Sequence, residues 1–208
     1  MTLVKICGIN SDASMDAAAE AQADYVGFVF FPPSPRYVTP VEAATLSARH
    51  AGARPQRVGL FVNPGFDEID AILQEISLDI LQIHGSPALV AALRGRFGRP
   101  VWRQLGVTAE EDFPAPDERA DGYVVEAKPP PGATRPGGNA VLADWNLLAR
   151  LRPAKPWLLA GGLRPDNVAE ALRVTGAPGV DVSSGVEDAP GRKSPALIRR
   201  FIAAARGG

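Results

Sequence analysis

The only cysteine of this 208-residue chain, Cys7, ends a short apolar stretch near the amino terminus, and Lys5 lies two positions before it. Side chains alternate along an extended strand, so Lys5 and Cys7 share one face while Val4 and Ile6 share the other. An ammonium group beside a thiol lowers the thiol pKa from about 8.5 and favours a thiolate that can act as a base or a nucleophile. The alternative is that Cys7 packs as a small buried hydrophobic side chain.

Carboxyl and imidazole groups end three other apolar stretches. Glu126 follows Tyr123-Val124-Val125 and is a candidate general acid, and Asp181 follows Gly179-Val180. His84 ends a third stretch. The simpler interpretations are a solvated carboxylate for Glu126, a turn cap for Asp181 and a structural histidine for His84.

Two clusters of small residues follow apolar stretches late in the chain and are candidates for phosphate binding. They are Gly161 with Gly162, and Ser183, Ser184 and Gly185. Backbone N–H groups of such loops form sites that hold anions. In parallel barrels a phosphate site recurs between the loops after the seventh and eighth strands. The alternative is that the glycines only serve turns.

Two loops have compositions that bear on substrate binding. Arg36 lies in the proline-rich segment Pro32-Pro33-Ser34-Pro35-Arg36-Tyr37, which would hold a guanidinium in place for a carboxylate; an exposed arginine is the alternative. Residues 127–143 are rich in proline and glycine and are predicted to form a long mobile loop. This loop would act as a lid or remain a passive connection.

Eight short apolar stretches divide the chain at intervals of 21 to 34 residues, most of them near 22. Each is too short for a helix and apolar on both faces, which is typical of a buried parallel strand. The predicted strands are residues 3–7, 25–30, 57–61, 80–83, 101–105, 123–125, 157–160 and 179–182.

Amphipathic segments with recognisable start signals lie between the predicted strands. Thr39-Pro40-Val41-Glu42 is a capping box with proline at the first helical position, and Ser86-Pro87 and Ser194-Pro195 repeat the cap-then-proline signal. Residues 66–75, 88–96, 168–172 and 196–205 are predicted helices. Residues 107–120 are rich in Asp, Glu and Pro, which indicates a weak or missing helix there.

This alternation predicts an α/β fold, a small single-domain (β/α)₈ TIM barrel that spans residues 1–208. The rival is an open doubly wound sheet, which usually has a glycine-rich turn after its first strand. Here that turn reads Cys7-Gly8-Ile9-Asn10, and the dinucleotide-binding glycine pattern is missing.

Composition excludes several classes of function. The 22 basic and 23 acidic side chains give a net charge of −1, which argues against nucleic acid as a partner. No apolar run approaches the roughly 18 residues of a membrane span, and the first five residues lack the layout of a signal peptide. The single cysteine excludes an internal disulfide and argues against a cysteine-based zinc site. We therefore expect a cytoplasmic protein.

Five groups of residues form a pattern that covers most of the chain. They are Lys5-Ile6-Cys7-Gly8-Ile9, Gly27-Phe28-Val29-Phe30 with Ser34-Pro35-Arg36-Tyr37, Gln82-Ile83-His84-Gly85, Ala160-Gly161-Gly162-Leu163, and Asp181-Val182-Ser183-Ser184-Gly185-Val186-Glu187. In this order and at this spacing, from residue 5 to about residue 193, the pattern resembles the phosphoribosylanthranilate isomerase family.

The resemblance implies an Amadori rearrangement in tryptophan biosynthesis. N-(5-phosphoribosyl)anthranilate becomes 1-(2-carboxyphenylamino)-1-deoxyribulose 5-phosphate, without a cofactor or a metal. A general acid protonates the furanose ring oxygen and opens the ring to a Schiff base. The cysteine then removes the proton from sugar carbon 2, and the resulting enolamine tautomerises to the ketone. The implied partner is this small phosphosugar-anthranilate substrate, and we expect a monomer or a weak homodimer.

The match assigns expected roles to individual residues. Cys7 is the base, Arg36 holds the anthranilate carboxylate and Asp181 positions the substrate. Lys5 and His84 are expected to contact the substrate. The expected phosphate-binding residues are Gly161, Gly162, Ser183, Ser184 and Gly185.

This chain departs from the family pattern at two places. Glu126 stands where the family has an aspartate as the general acid, so the carboxyl group is kept on a side chain that is one methylene longer. Ala140 and Ala143 replace a glycine and a phenylalanine in the predicted lid, whereas Asp144-Trp145 keeps the alignment.

Two other functions compete with the isomerase. A related phosphosugar barrel, such as another ketol isomerase or a synthase, would lack the combination of Cys7 with Arg36. A degenerate barrel that binds phosphosugars without turnover is the third hypothesis, and it rests on Glu126 and the altered loop.

Overall fold

Eight parallel strands form a closed barrel within the residues that the computed structural model describes, which are 1–50, 52, 55–128 and 144–207. Each strand pairs with the next along the chain, and β8 closes the ring by pairing with β1. The strands are β1 (Leu3–Cys7), β2 (Tyr25–Val29), β3 (Gln56–Val62), β4 (Ile80–His84), β5 (Val101–Val107), β6 (Gly122–Ala127), β7 (Trp157–Leu159) and β8 (Gly179–Val182). The predicted fold is therefore confirmed.

Seven described helices surround the barrel, and five of them begin within one residue of the predicted start, whereas the first and the fifth were not predicted. They are α1 (Asp12–Glu20), α2 (Pro40–Ala48), α3 (Phe66–Glu75), α4 (Pro87–Phe97), α5 (Trp145–Leu148), α6 (Val168–Thr175) and α7 (Pro195–Ala205). The capping box at α2 is present, since the Thr39 side chain accepts from the Glu42 backbone N–H and the Glu42 side chain accepts from Thr39. None of the described helices is long and apolar enough to cross a membrane.

Two connections differ from the simple alternation of strand and helix. Between β5 and β6, the described residues 108–121 form only a 3₁₀ turn at Glu110–Asp112, as the acidic and proline-rich composition predicts. After β8 the chain forms a small antiparallel hairpin, β9 (Glu187–Ala189) and β10 (Arg192–Lys193), which the sequence reasoning missed. The predicted mobile loop lies almost entirely at residues 129–143, outside the described residues.

Apolar side chains form two separate clusters, one outside and one inside the barrel. Val4 and Ile6 of β1 belong to the outer cluster, which packs against the helices. The inner cluster contains side chains from successive strands: Val58, Ile80, Trp102, Val124 and Leu158. It fills the amino-terminal end of the barrel, so the polar interior residues lie towards the carboxyl ends of the strands.

Candidate active site

One pocket at the carboxyl ends of the strands brings together ten of the eleven residues predicted to form the site. These are Cys7, Arg36, His84, Glu126, Gly161, Gly162, Asp181, Ser183, Ser184 and Gly185. The eleventh, Lys5, is fully buried and lies beneath the pocket, bonded to Asp181. The structure therefore places residues from six strands or their following loops around one space.

Lys5 and Asp181 form a buried ion pair across the β1–β8 junction. The register of the two strands pairs these residues directly, and Lys5 Nζ lies 2.8 Å from Asp181 Oδ1. Lys5 has 0% of its surface exposed. Burial lowers the pKa of Lys5, but the charges of Asp181 and Cys7 outweigh burial, so its pKa is raised and it stays an ammonium.

The thiol of Cys7 lies beside this ammonium because a glycine faces both. Gly27 pairs with Cys7 across β1 and β2. A Cβ atom at Gly27 would lie 3.0 Å from Cys7 Sγ and 3.2 Å from Lys5 Nζ. Any side chain at this position would therefore crowd the thiol and the ammonium, so glycine allows the two groups to share one space.

The pKa of the Cys7 thiol is raised, opposite to the direction expected from the sequence. Burial is the largest cause and raises the pKa, and the nearby Asp181 charge adds to it. Lys5 and Lys193 lower the pKa but do not compensate for the loss of hydration. Alternation correctly placed Lys5 beside Cys7, but it could not show that burial outweighs the ammonium.

Arg36 is held by a carboxylate on the hairpin that follows β8. Its Nε and Nη2 lie 2.6 and 2.8 Å from the two oxygens of Glu187, a bidentate geometry. Both side chains are buried. Glu187 accepts from two of the five guanidinium N–H groups, and no other described side chain is hydrogen-bonded to the guanidinium, so three N–H groups can face an anion in the pocket. Arg36 is therefore not the exposed arginine of the alternative interpretation.

A second buried cation, Lys193, completes this network. Its Nζ lies 2.7 Å from Glu187 Oε1, 3.0 Å from the Ser183 carbonyl oxygen and 3.2 Å from Ser183 Oγ. Burial opposes ionisation of Glu187, but Arg36 and Lys193 outweigh it and lower its pKa. Burial lowers the pKa of Lys193 while Glu187 opposes that shift. Ser183 Oγ also donates to the Cys7 carbonyl oxygen at 3.1 Å, which ties the network to β1.

The two predicted phosphate loops touch each other. Gly161 and Gly162 have φ angles of +87° and +64°, in the left-handed region that favours glycine. A Cβ atom at Gly185 would overlap the Leu163 carbonyl oxygen, so the loop after β8 packs directly on the loop after β7. Ser184–Val186 is a 3₁₀ turn. These paired glycine turns form the kind of backbone surface that holds anions.

The opposite wall of the pocket contains two amide side chains that are hydrogen-bonded in series to Glu126. Gln104 Nε2 donates to Glu126 Oε1 at 2.8 Å, and Gln82 Nε2 donates to Gln104 Oε1 at 2.7 Å. All three residues line the pocket. Glu126 has 7% of its surface exposed, so it is not the solvated strand-end carboxylate of the simpler interpretation.

His84 contributes a neutral imidazole to the same wall. Burial lowers its pKa to about 4, and the charge of Lys5 adds to the shift. A ring that stays neutral near pH 7 offers one N–H donor and one acceptor nitrogen to the pocket.

Four residues of this arrangement were not among the site residues predicted from the sequence: Gln82, Gln104, Glu187 and Lys193. Glu187 closes the last motif, and the buried Lys193 follows six residues later. Gln104 had a clearer signal, because Gln82, Gln104 and Glu126 are separated by 22 residues each, close to the interval between strands.

Comparison with known proteins identifies the family. The sequence model of N-(5′-phosphoribosyl)anthranilate isomerase matches residues 4–204. The chain belongs to this family.

Individual members of this isomerase family are similar to the chain over nearly its whole length. An N-(5′-phosphoribosyl)anthranilate isomerase from Granulibacter bethesdensis is 55% identical over 205 residues, covering 98% of this chain and 97% of the relative. The crystal structure of the Jonesia denitrificans member is 37% identical with a TM-score of 0.83, covering 100% of this chain and 98% of that one. Another member, solved in complex with reduced 1-(o-carboxyphenylamino)-1-deoxyribulose 5-phosphate, is 33% identical with a TM-score of 0.80 and full coverage of both chains.

Proposed function

We propose that this chain converts N-(5′-phosphoribosyl)anthranilate to 1-(2-carboxyphenylamino)-1-deoxyribulose 5-phosphate in tryptophan biosynthesis, with Glu126 as the acid and Cys7 as the base. Membership in the isomerase family supports the reaction. The observation that carries the assignment of roles is that the thiol and the carboxyl group line one pocket together with Arg36 and two glycine loops.

The first step opens the sugar ring. The bond between sugar carbon 1 and the ring oxygen breaks, and the oxygen keeps the electron pair and takes a proton from Glu126. The lone pair of the anthranilate nitrogen forms the new double bond to carbon 1, which gives a protonated Schiff base. Proton donation by a positioned carboxylic acid is typical of such steps.

The second step moves a proton away from sugar carbon 2. The Cys7 thiolate takes this proton, the released pair forms the double bond between carbons 1 and 2, and the electrons of the C–N double bond return to nitrogen. The enolamine then loses its hydroxyl proton and gains a proton at carbon 1 to give the ketone. Electrons and protons balance within the substrate and the two side chains, so the proposed reaction needs no cofactor.

The raised pKa of Cys7 affects this second step in two ways. When the pKa of a thiol is higher, its thiolate is a stronger base towards a C–H proton. A smaller fraction of the thiol is then ionised at neutral pH. Lys5 lies beside the sulfur and favours the thiolate, so it limits that loss. We therefore assign to Lys5 the role of stabilising the Cys7 thiolate. Asp181 holds the Lys5 ammonium in place for that role.

The remaining site residues are assigned to the two anionic ends of the substrate. Arg36, held by Glu187, binds the anthranilate carboxylate through its remaining N–H groups. The loops at Gly161-Gly162 and at Ser183-Ser184-Gly185 bind the phosphate through backbone N–H groups. Neutral His84 contacts the sugar side of the substrate.

Direct turnover of freshly made substrate, alongside rescue of a tryptophan auxotroph that lacks this isomerase, tests the proposed reaction. Glu126→Gln and Glu126→Asp test the acid. We expect Glu126→Gln to lower the turnover rate about 10² to 10⁴-fold, because the amide cannot donate the required proton, and Glu126→Asp to lose much less. Equal rates for the two variants would remove Glu126 as the acid. Folded protein that binds a product analogue without turnover would instead indicate a degenerate barrel.

We also propose that the chain works in the cytoplasm as a monomer or a weak homodimer. Light scattering across a range of protein concentrations tests the assembly, and cell fractionation tests the location. A dimer that persists at nanomolar concentration, or recovery outside the cytoplasm, would contradict these two points.

A further inference from the structure

The hydrogen-bonded chain of Gln82, Gln104 and Glu126 runs around the inside of the barrel over three neighbouring strands. The residues lie on β4, β5 and β6, and each contact crosses to the next strand. Gln82 and Glu126 are buried, with 1% and 7% of their surfaces exposed. These hydrogen bonds thus connect Gln82, inside the barrel, to the carboxyl group to which we assign the first proton transfer.

The direction of this chain follows from the chemistry of its last member. Glu126 Oε1 accepts from Gln104 Nε2, and one oxygen of a carboxyl group still accepts when the other carries the proton, so Gln104 turns its NH₂ group towards Glu126 and its amide oxygen towards Gln82. Gln82 must then turn its own NH₂ group towards Gln104. This leaves the buried Gln82 Oε1 with no hydrogen-bond partner among the described residues.

Two amides are not the side chains that packing alone favours at these positions. A buried amide oxygen without a partner is unfavourable, and apolar side chains of similar size at these interior positions would avoid the cost. Packing therefore does not explain two amides beside each other in the barrel. Together the two amides fix one donor, Gln104 Nε2, so that it points at one oxygen of Glu126.

An amide suits this task better than a charged side chain. A lysine or arginine beside a carboxyl group favours the ionised form and so opposes its use as an acid. An amide restricts the rotation of the carboxyl group without adding a charge. The restriction matters more for glutamate than for aspartate, because the extra methylene gives the side chain one more rotatable bond and more positions to occupy.

We infer that Gln104, itself oriented by Gln82, is a positioning residue that fixes the Glu126 carboxyl group for proton donation to the sugar ring. The inference rests on the proposed function, in which Glu126 is the acid. It adds that the longer acid of this chain works because a donor on the neighbouring strand holds it. A misplacement of about 1 Å at a reacting group can cost on the order of 100-fold in rate, so such a donor has a measurable kinetic effect.

A double-mutant cycle between Gln104→Met and Glu126→Asp tests the inference, with single-turnover rates measured so that product release does not hide the proton transfer. Methionine keeps the volume of Gln104 and removes the donor. We expect Gln104→Met to lower the rate about 10-fold with KM within about twofold. In the Glu126→Asp background the same change should cost less than about twofold, since the shorter side chain does not reach Gln104. Gln82→Met should cause a smaller loss than Gln104→Met.

Arg103→Met is the matched control on the same strand. Arg103 lies next to Gln104 but on the other face of β5, where it forms a bidentate ion pair with Glu118. This variant disturbs the strand without touching the chain of amides, so its rate should equal that of the wild type. Thermal melts of every variant check folding, and Gln104→Asn, which keeps the amide but shortens its reach, replaces Gln104→Met if that variant does not fold.

The outcomes separate this inference from the proposed function. If Glu126→Gln is inactive while Gln104→Met keeps the wild-type rate, the positioning role is wrong and the acid assignment stands. Equal losses from Gln104→Met in both backgrounds, or a loss seen in KM alone, would also overturn it, since Gln104 would then act independently of Glu126. Full activity of Glu126→Gln would overturn both.

Discussion

The two walls of the pocket differ in the groups that surround the proposed base and the proposed acid. The wall formed by β1, β8 and the hairpin after β8 contains paired charges: Lys5 with Asp181, and Arg36 and Lys193 with Glu187. On β4, β5 and β6, the described polar side chains that line the pocket together with Glu126 are two amides, Gln82 and Gln104, and the imidazole of His84, which stays neutral near pH 7.

This difference matches the two proton transfers that we assign to the site. A thiol gives up its proton more readily beside a cation, and Cys7 lies on the charged wall next to Lys5. On the other wall, the amide of Gln104 donates to Glu126 and so restricts the position of its carboxyl group without adding a charge. Charge therefore acts on the ionisation of the base, and an oriented amide acts on the position of the acid.

The largest expected effect comes from removing the thiol on the charged wall. Cys7→Ser replaces the base with a hydroxyl of much higher pKa, so turnover should fall at least about 10³-fold while product binding changes little. Steady-state kinetics and titration with a product analogue measure the two quantities. A variant with wild-type turnover would show that Cys7 is not the base.

The next largest effect is expected from removing the Lys5 ammonium, which lowers the pKa of the Cys7 thiol and so opposes the increase that burial causes. Lys5→Met should raise the pKa of Cys7 further and leave Asp181 buried without its partner. Breaking a buried ion pair costs about 3–5 kcal/mol of unfolding free energy. Turnover at pH 7 should fall about 10- to 100-fold and recover in part as the pH rises, because more thiolate then forms.

The rate of thiol alkylation as a function of pH measures this change, together with urea unfolding. In the wild type the alkylation midpoint should lie above the ordinary thiol value, and in Lys5→Met it should lie higher still. Arg94→Met, which breaks the more exposed pair with Asp121, is the control and should cost less than about 1 kcal/mol. An unchanged alkylation profile in Lys5→Met would show that the ammonium does not act on the thiol.

A smaller effect is expected at the hairpin. Glu187→Gln removes the negative charge that Arg36 and Lys193 share, so the guanidinium loses its bidentate support. We expect KM to rise about 10-fold with kcat nearly unchanged, since the residue orients a binding group and takes no part in proton transfer. Asp188→Asn, which breaks an exposed ion pair with Arg192 on the same hairpin, should leave both constants at wild-type values. A loss confined to kcat would contradict the assignment.

The sequence predicted the barrel more completely than it predicted the two walls. Eight short apolar stretches were enough to locate the strands, because every strand of a closed parallel barrel is buried on both faces. Alternation placed Lys5 and Cys7 inside the barrel, and the register then brings Lys5 to Asp181. The glycine loops were also found, since their residue types and their positions after the last two strands are both unusual.

The sequence did not predict the pKa of Cys7 or the contacts of the hairpin and of Gln104, because these depend on burial and on neighbours in three dimensions. The pKa of Cys7 depends on how far burial outweighs Lys5, and residue spacing carries no measure of burial. The hairpin with Glu187 and Lys193 was missed because strands of three and two residues leave no periodic pattern. Gln104 was missed because one amide within an apolar stretch does not reveal which neighbouring side chain it meets.

The smallest effect at neutral pH is expected at His84, and it tests whether the second wall is truly uncharged. The folded-state pKa of about 4 lies below the ordinary value of 6.5, so between these values the unfolded chain binds a proton that the folded protein does not. Stability should therefore fall as the pH drops from 6.5 towards 4, by about 1–3 kcal/mol relative to His84→Asn, and the two proteins should not diverge above pH 7.

Urea unfolding of both proteins from pH 4 to 8 measures that difference, and NMR titration gives the His84 midpoint directly. The chain has two histidines, so His50→Asn assigns the signals. A midpoint near 6.5 would place a charged imidazole on the Glu126 wall at mildly acid pH. The contrast between a charged wall and a neutral wall would then hold only above that pH. A midpoint near 4 would keep the His84 imidazole neutral throughout the range in which Cys7 must become a thiolate.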